Sequence, residues 1–243
     1  MKQTLHDDVA LVTGAGRGIG SAIARRLAQA GCRVAALART ASELDETVRA
    51  AHGDAPCTLM LAIPADVTRD ADLEAAVRAI GERLGPVTIL VNNAGFAPPR
   101  APVLKASLAD WDRTLSTCLR APMVLTRLVL PAMLAQRRGS IVNIASIAGK
   151  RGRAGEAAYA AAKFGLLGFT QSLFAEVRDR GIKVVAICPG LVDTALIPAN
   201  KRVDRGRFLQ PSDVAAAVYD ALTSPPRACP TEIVLEPQCD AEA

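Results

Sequence analysis

The chain has 243 residues, of which 50% are apolar, 22% are charged and 3% are aromatic, and its formal net charge is +5. This length allows one α/β domain or two small ones with a sizeable core, and the apolar content excludes an intrinsically disordered chain. The basic residues are spread along the sequence without aromatic interleaving, which argues against a nucleic-acid-binding protein.

Short β-branched runs alternate with longer helical stretches along the whole chain. The pattern predicts strands over 9–14, 33–39, 58–66, 88–95, 139–146, 183–190 and 231–236. It predicts helices over 20–31, 41–52, 70–84, 107–137, 156–180 and 211–223. Strands that are apolar throughout and separated by helices indicate a parallel sheet covered on both faces. No linker divides the chain, so we predict one domain over residues 1–243.

The N-terminal segment, the apolar runs and the cysteines indicate in which cellular compartment the protein is expected. The segment MKQTLHDDVALVTG lacks the apolar stretch of a signal peptide, and Arg127 interrupts the longest apolar run, so we expect no membrane span. The cysteines lack CxxC spacing, which favours reduced thiols in a cytoplasmic protein over a disulfide framework or a metal site. They are Cys32, Cys57, Cys118, Cys188, Cys229 and Cys239. A bridge between Cys229 and Cys239 stays open as an alternative.

A glycine-rich loop, TGAGRGIG at 13–20, directly follows the first predicted strand. Gly14, Gly18 and Gly20 stand between a strand and a helix, the context that a dinucleotide-binding loop requires. Glycine lets the backbone turn sharply and come close to a pyrophosphate. The helix start at Gly18, Ile19 and Gly20 then offers free N–H groups and a positive dipole end. A glycine-rich turn without a ligand is the alternative.

The end of the second strand bears on which dinucleotide would bind. In dinucleotide-binding folds an acid there binds the ribose hydroxyls and favours NAD. This chain has Ala38 and Arg39 instead, so we expect no acid to repel a 2′-phosphate. Arg39 and, from the glycine loop, Arg17 could bind that phosphate. Either arginine alone could be a solvated surface residue, but together they favour NADP over NAD.

One of the two tyrosines lies in the alanine-rich stretch AAYAAAKFG. Tyr159 and Lys163 are four residues apart, which places them on one face of a helix. A neighbouring ammonium and a positively charged nicotinamide both stabilise phenolate, and so lower the pKa of Tyr159 from its ordinary value of ~10. Ser146 ends a strand on the ligand-binding side of the sheet and can donate to an oxyanion. The structural alternative is a packed tyrosine beside a solvated lysine.

With these motifs in order, the chain resembles the short-chain dehydrogenase/reductase family over nearly its whole length. The matching pieces are TGAGRGIG (13–20), ADV (65–67), NNAG (92–95), Ser146, YAAAK (159–163) and PG (189–190). The resemblance implies a single Rossmann-type doubly wound α/β domain, a seven-stranded parallel sheet with helices on both faces. It also implies a homodimer or homotetramer that pairs through the helices carrying Cys118 and Tyr159.

The resemblance further implies roles for individual residues. Tyr159 would be the general acid or base of hydride transfer, Lys163 would bind the ribose and lower the tyrosine pKa, and Ser146 would bind the substrate oxygen. The implied cofactor contacts are Asp66 and Val67 at the adenine, Asn93, Ala94 and Gly95 near the nicotinamide ribose, and Val192 and Thr194 at the carboxamide.

The family pattern is broken at Cys118, where relatives have an asparagine whose main-chain carbonyl holds a proton-relay water. Pro122 lacks the N–H that would bond the carbonyl of residue 118, so we expect that carbonyl to stay available. The alternatives are a dinucleotide-binding regulatory protein with impaired catalysis, and a redox-active thiol at Cys118.

The segment at about 191–210 is expected to cover the substrate. Lys201, Arg202, Arg205 and Arg207 lie close together there, as a solvated charge run or as a site for an anionic substrate. The predicted substrate is a small carbonyl compound or alcohol, with a 3-oxoacyl thioester and a small 3-hydroxy acid as competing possibilities.

Overall fold

The computed structural model describes residues 4–52, 60–196 and 204–238. The strands are β1 Val9–Thr13, β2 Arg33–Ala38, β3 Met60–Pro64, β4 Ile89–Asn92, β5 Gly139–Ile144, β6 Ile182–Pro189 and β7 Glu232–Leu235. The α-helices are α1 Gly18–Gln29, α2 Ala41–His52, α3 Asp70–Arg83, α4 Leu108–Leu115, α5 Ala121–Gln136, α6 Ala157–Val177 and α7 Pro211–Thr223.

The strands form one parallel sheet in the order β3-β2-β1-β4-β5-β6-β7. Leu11 of β1 pairs with Ala35 of β2 on one side and with Leu90 of β4 on the other. The chain runs outwards from β1 to β3 and then from β4 to β7, so the connections diverge between β1 and β4. Ligands of such sheets bind where this reversal opens a crevice at the carboxyl ends of the strands. The predicted doubly wound, seven-stranded fold is confirmed.

Alternate strand residues face two different helical layers, as the pleat of a strand requires. Val12 faces the layer of α1, α2 and α7, where Ile23, Leu44 and Val218 are fully buried. Leu11 faces the layer of α3, α5 and α6, which contributes a second buried cluster. That cluster includes Leu73, Ile80, Leu125, Val129 and Leu173. Burial on both faces explains why the strands are apolar throughout.

The helix predicted over 107–137 is not a regular α-helix. Between α4 and α5, residues Ser116–Arg120 form a π-helical turn in which the Ala121 N–H donates to the Ser116 carbonyl five residues back. Pro122, in the first turn of α5, has no N–H to donate, so the α-helical hydrogen-bond pattern is already interrupted there. The change from π-helical to α-helical winding falls at this interruption.

The stretch formed by α4, the π-helical turn and α5 is long and apolar enough to span a membrane, contrary to expectation. Leu108–Gln136 has 29 residues and contains an 18-residue window with a mean hydropathy of 1.5, which meets that criterion by length and composition alone. Leu125, Val129 and Met133 nevertheless pack into the core against the sheet, and Arg127 is exposed. That arrangement is typical of a helix that flanks the sheet of a globular domain.

Four cysteines lie in the described residues, and all four are free thiols. Cys32, Cys118 and Cys188 are buried, and Cys229 is half-buried. Burial raises the pKa of Cys188 to about 11 and that of Cys32 to about 12. Cys57 and Cys239 lie outside the described residues, so the alternative bridge from Cys229 to Cys239 stays untested.

Candidate active site

A cavity of about 740 Å³ opens at the carboxyl ends of the central strands. Its lining brings together Arg205 of the expected basic cluster and eight of the expected catalytic and cofactor-binding residues. These eight are Ile19, Asn93, Gly95, Ser146, Tyr159, Lys163, Val192 and Thr194. Its apolar wall includes the single tryptophan, Trp111, together with Leu196 and Phe208. Cys118 is not among the lining residues.

The glycine loop borders this cavity and has the geometry of a phosphate cradle. Gly14 and Gly18 have φ angles of +63° and +55°, which favour glycine, and a Cβ at Gly20 would lie 2.2 Å from the Gly14 carbonyl oxygen. Within the described chain no side chain caps the start of α1, and its first turn contains no acid. The first N–H groups of α1 and the positive dipole end are therefore suited to a pyrophosphate.

Two threonines that the sequence analysis missed hold this loop in place. The Thr47 hydroxyl of α2 lies 3.0 Å from the Ala15 carbonyl oxygen and 3.1 Å from that of Gly16. At the end of β1, the Thr13 hydroxyl accepts from the N–H groups of Asn93 and Ala94, both at 3.0 Å. Asn93 in turn donates from Nδ2 to the Thr13 carbonyl at 2.8 Å. The loop is therefore fixed to α2 and to the segment after β4.

At Gly16 and Arg17 the glycine loop has an acid beside it, contrary to the expectation that none lies nearby. Glu43, in the first turn of α2, accepts from Arg17 at 2.9 Å, and a Cβ on Gly16 would lie 2.9 Å from Glu43 Oε2. The expectation was wrong because it considered the end of β2 alone, whereas α2 brings an acid back to the loop through space. Arg39 is exposed beside this end of the site.

Asp66 follows β3, and its carboxylate is held in place by a neighbouring threonine. The Thr68 N–H and hydroxyl donate to Asp66 Oδ1 at 2.9 and 2.8 Å. Burial raises the pKa of Asp66, but the Thr68 hydrogen bonds and the charges of Arg39 and Arg113 outweigh it, so the pKa is lowered. The Val67 side chain is buried among the residues packed around α3, and its expected contact with the adenine stays a prediction.

Ser146, Tyr159 and Lys163 come together at the end of β5. The Ser146 hydroxyl accepts from the Ala148 N–H at 3.1 Å and also forms a hydrogen bond with the Tyr159 hydroxyl. Tyr159 lies in the first turn of α6, and Lys163 one turn later has its Nζ 5.7 Å from the tyrosine ring centroid. Lys163 Nζ donates to the Ile144 carbonyl at 2.7 Å and is 3% exposed.

The pKa of Tyr159 shifts in the opposite direction to the one expected. Burial raises it above its ordinary value, the nearby Cys118 thiol adds to that rise, and the Ser146 hydrogen bond counteracts it without reversing it. Burial also lowers the pKa of Lys163. With only the protein's own groups present, the expected lowering of the Tyr159 pKa was wrong. Removing the phenolate from water costs more free energy than the neighbouring groups restore by stabilising it.

The Cys118 side chain forms hydrogen bonds with the segment after β4. Its thiol accepts from the Phe96 N–H at 3.3 Å and donates to the Phe96 carbonyl at 3.4 Å. Cys118 is fully buried, so these contacts exclude water. The thiol thus joins the π-helical turn to the segment that begins at Asn93, and it positions that segment without contacting the cavity.

The segment after β6 begins against the glycine loop. Val192 pairs with Leu209 in an isolated bridge, and a Cβ on Gly18 would lie 3.2 Å from Thr194 Cγ2. Arg205 donates to Asp193 Oδ1 and to the Thr194 carbonyl, both at 2.7 Å. Of the expected basic cluster, Lys201 and Arg202 lie outside the described residues, whereas Arg205 and Arg207 each face an aspartate.

The described part of the chain contains no group of three or more His, Cys, Asp or Glu residues that could hold a metal ion. The cavity lining instead provides the hydroxyls of Ser146 and Tyr159 and the ammonium of Lys163, along with further charged side chains that include Lys105, Arg153 and Arg205. Together they can donate a proton to a substrate oxygen and bind a phosphate-bearing cofactor beside it.

Comparisons with known proteins agree with this geometry. Residues 8–204 match the family model described as short chain dehydrogenase. The chain is 37% identical to the 3-oxoacyl-[acyl-carrier-protein] reductase FabG of Vibrio cholerae, over 88% of this chain and 89% of that protein. It is also 37% identical to the 3-oxoacyl-[acyl-carrier-protein] reductase of Bos taurus, over 90% and 92%. A metagenomic short-chain oxidoreductase solved in complex with NADP is 32% identical, with a TM-score of 0.84 over 98% of this chain and 100% of that one.

Proposed function

Because this chain belongs to the short-chain dehydrogenase family, we propose that it is an NADP-dependent oxidoreductase that transfers a hydride between nicotinamide and a carbonyl compound or secondary alcohol. One observation carries the proposal: the hydrogen-bonded hydroxyls of Ser146 and Tyr159 lie beside the buried ammonium of Lys163 in the cavity that borders the glycine loop.

The residues present fit a dinucleotide. The uncapped start of α1 would hold the pyrophosphate, and Arg17 and Arg39 would attract a 2′-phosphate. Lys163 has three N–H donors and uses one of them on Ile144, which leaves two for ribose hydroxyls. The bound nicotinamide supplies or accepts the hydride, and the NADP complex of a structural relative favours the phosphorylated form.

The chain's own residues handle the proton. In the reducing direction the Tyr159 hydroxyl donates its proton to the substrate oxygen, and Ser146 donates a hydrogen bond to that oxygen as charge develops. Lys163 stabilises the phenolate that remains, since its ammonium lies one helical turn away. The raised pKa of Tyr159 keeps the phenol protonated at neutral pH, which suits reduction.

Two substrate classes compete within this proposal. The names of the Vibrio cholerae and Bos taurus relatives favour a 3-oxoacyl thioester. A small 3-hydroxy acid would need a cationic group in the cavity; Arg205 is already paired with Asp193 and Arg100 with Glu156, while Lys105 and Arg153 also line the cavity. The apolar wall of Trp111, Leu196 and Phe208 suits an acyl chain better. The 3-oxoacyl thioester is therefore the leading candidate.

A regulatory protein with impaired catalysis is not favoured. Ser146, Tyr159 and Lys163 all lie in the cavity, and the Cys118 thiol both donates to and accepts from Phe96, as an asparagine amide could. The full burial of Cys118 also argues against a redox-active thiol, since such thiols need access to their reactants. A cytoplasmic location and a homodimer or homotetramer complete the proposal.

The test follows NADPH absorbance with the purified protein and a panel of an acetoacetyl thioester, a 3-oxo acid, a simple aldehyde and a cyclic ketone. We expect fastest turnover of the thioester and a loss of about 10²- to 10⁴-fold in Tyr159→Phe, because a positioned proton donor contributes that factor. Unchanged turnover in Tyr159→Phe would refute the assigned role. Binding of NADPH without turnover of any panel member would favour the regulatory alternative.

A further inference from the structure

The ion pair between Arg17 and Glu43 lies at the ribose end of the proposed dinucleotide site. Arg17 Nη1 and Glu43 Oε1 are 2.9 Å apart, with the arginine side chain 68% exposed and the glutamate side chain 30% exposed. Glu43 is the better fixed partner because it packs on the glycine loop: a Cβ on Gly16 would lie 2.9 Å from both its Cβ and its Oε2.

The same contact places Glu43 at the end of β2. A Cβ on Gly16 would lie 3.4 Å from the Cβ of Ala38, the last residue of that strand. An acid at the end of β2 favours the ribose hydroxyls of NAD over a 2′-phosphate. The sequence has no acid at that position, but Glu43 brings a carboxylate to the same neighbourhood from the first turn of α2.

The local charges therefore nearly cancel. Arg17 is paired with Glu43, and Arg39 lies close enough to Asp66 to help lower the pKa of that carboxyl. A 2′-phosphate approaching the two arginines would also meet two carboxylates. Its attraction to this site is weaker than the arginines alone would suggest.

We propose that Glu43 is a specificity-determining residue that restrains the preference of this protein for a 2′-phosphate. It does so by occupying the Arg17 guanidinium and by placing a negative charge beside the glycine loop. The inference rests on the proposed function, since it concerns the dinucleotide site. Removal of the Glu43 charge would free Arg17 for bidentate contact with a phosphate.

The test measures binding by calorimetry and needs no turnover. The probes are adenosine 5′-monophosphate and the same nucleotide carrying an additional 2′-phosphate, and the measured quantity is the ratio of their dissociation constants. Glu43→Gln is expected to shift this ratio about tenfold towards the 2′-phosphate. Combining it with Arg17→Gln should abolish the gain. Asp45→Asn removes the same charge from an exposed position on α2 and should change the ratio less than about twofold.

Each outcome bears on a different claim. An unchanged ratio in Glu43→Gln, or an equal change in Asp45→Asn, would overturn the inference, the latter because it would reflect net charge alone. A gain that persists after Arg17→Gln would overturn the part assigned to Arg17. If the wild-type protein bound neither nucleotide, the proposed dinucleotide site itself would fall. Circular dichroism of every variant checks that the fold is retained.

Discussion

Lys163 is a charged residue placed where charge is costly. Its side chain is 3% exposed, burial lowers its pKa, and its Nζ donates to the Ile144 carbonyl. A buried ammonium paired with a neutral carbonyl contributes little to folding, because its loss of hydration is poorly compensated. Its position one turn from Tyr159 makes functional sense instead, since perturbed groups cluster where chemistry occurs.

The direction of the Tyr159 shift gives a prediction for pH dependence. Burial raises the pKa of Tyr159, so the phenol is protonated at neutral pH and phenolate forms only as pH rises. Carbonyl reduction, which uses the phenol, should be nearly level between about pH 6 and 8. Alcohol oxidation, which uses the phenolate, should rise by about tenfold per pH unit up to the apparent pKa of the complex. Measuring kcat in both directions over pH 6 to 10 checks this, a range chosen around the ordinary tyrosine value of ~10.

Lys163→Met supplies the control for that profile. Loss of the ammonium should move the apparent pKa of oxidation upwards, because one stabiliser of phenolate is gone. An oxidation rate that is independent of pH in the wild-type protein would contradict the role of Tyr159 as the base.

Which residues the sequence reveals depends on their separation along the chain. The spacing of Tyr159 and Lys163 is local, so helical periodicity was enough to pair them. Glu43 and Thr47 contact the glycine loop from 26 and 31 or more residues away, and neither belongs to a recognisable motif. Their contacts arise because α2 packs back on the loop, which is a property of the assembled layers.

At the scale of elements, the join between the π-helical turn and the segment after β4 depends on one thiol. Cys118 both accepts from and donates to Phe96, and Phe96 follows directly on Asn93–Gly95. The sequence predicted that Pro122 leaves the carbonyl of residue 118 available, but it could not give the extra residue in the turn. One extra residue shifts the buried face of a helix, but most side chains of α5 are apolar, so the shift leaves little trace in the sequence pattern.

Removing the Cys118 thiol should weaken this join. Cys118→Ala leaves the Phe96 N–H and carbonyl without their partner, so we expect the free energy of unfolding to fall by about 1–3 kcal/mol, measured by urea denaturation. Turnover should fall as well, since Phe96 adjoins the segment expected to border the nicotinamide ribose. Cys118→Asn and Cys118→Ser retain a donor and an acceptor and should lose less than half of that stability.

Equal stability and turnover in Cys118→Ala and the wild-type protein would show that the thiol does not position the segment. A large gain in turnover for Cys118→Asn, without a change in stability, would show that the thiol impairs a proton relay that asparagine supports.

At the scale of the molecule, the alternation of strands and helices was enough to predict a parallel sheet covered on both faces. The family resemblance predicted a doubly wound sheet of seven strands, but the strand order came from the structure, because alternation alone does not say on which side of β1 each strand is placed. The electrostatics of the proposed cofactor site depend on contacts between α2 and the glycine loop, which the sequence pattern does not show.

Two large apolar side chains are exposed on α5 and α6, among polar neighbours that include Arg120 and Arg127. Met123 is 44% exposed and Phe164 is 47% exposed. Gly165 allows close contact between α6 and the π-helical turn, because a Cβ there would lie 3.0 Å from Leu119 Cδ2. Met123 lies four residues after Leu119 and Phe164 adjoins Gly165, so the two exposed side chains flank this contact, and exposed apolar side chains that lie together mark protein–protein contact.

We expect this surface to hold two copies of the chain together, as the proposed homodimer or homotetramer requires. The double variant Met123→Glu/Phe164→Glu should convert the protein to a monomer, because pairing would bury four unpaired carboxylates in an apolar interface. Light scattering after size-exclusion chromatography would then give one chain mass, 25.4 kDa, in place of a multiple of it. Leu104→Glu is the matched control, since Leu104 is 99% exposed on the turn Val103–Lys105, away from these helices. If the double variant keeps the wild-type mass, the copies associate elsewhere; if the wild-type protein is itself a monomer, the proposed assembly is wrong.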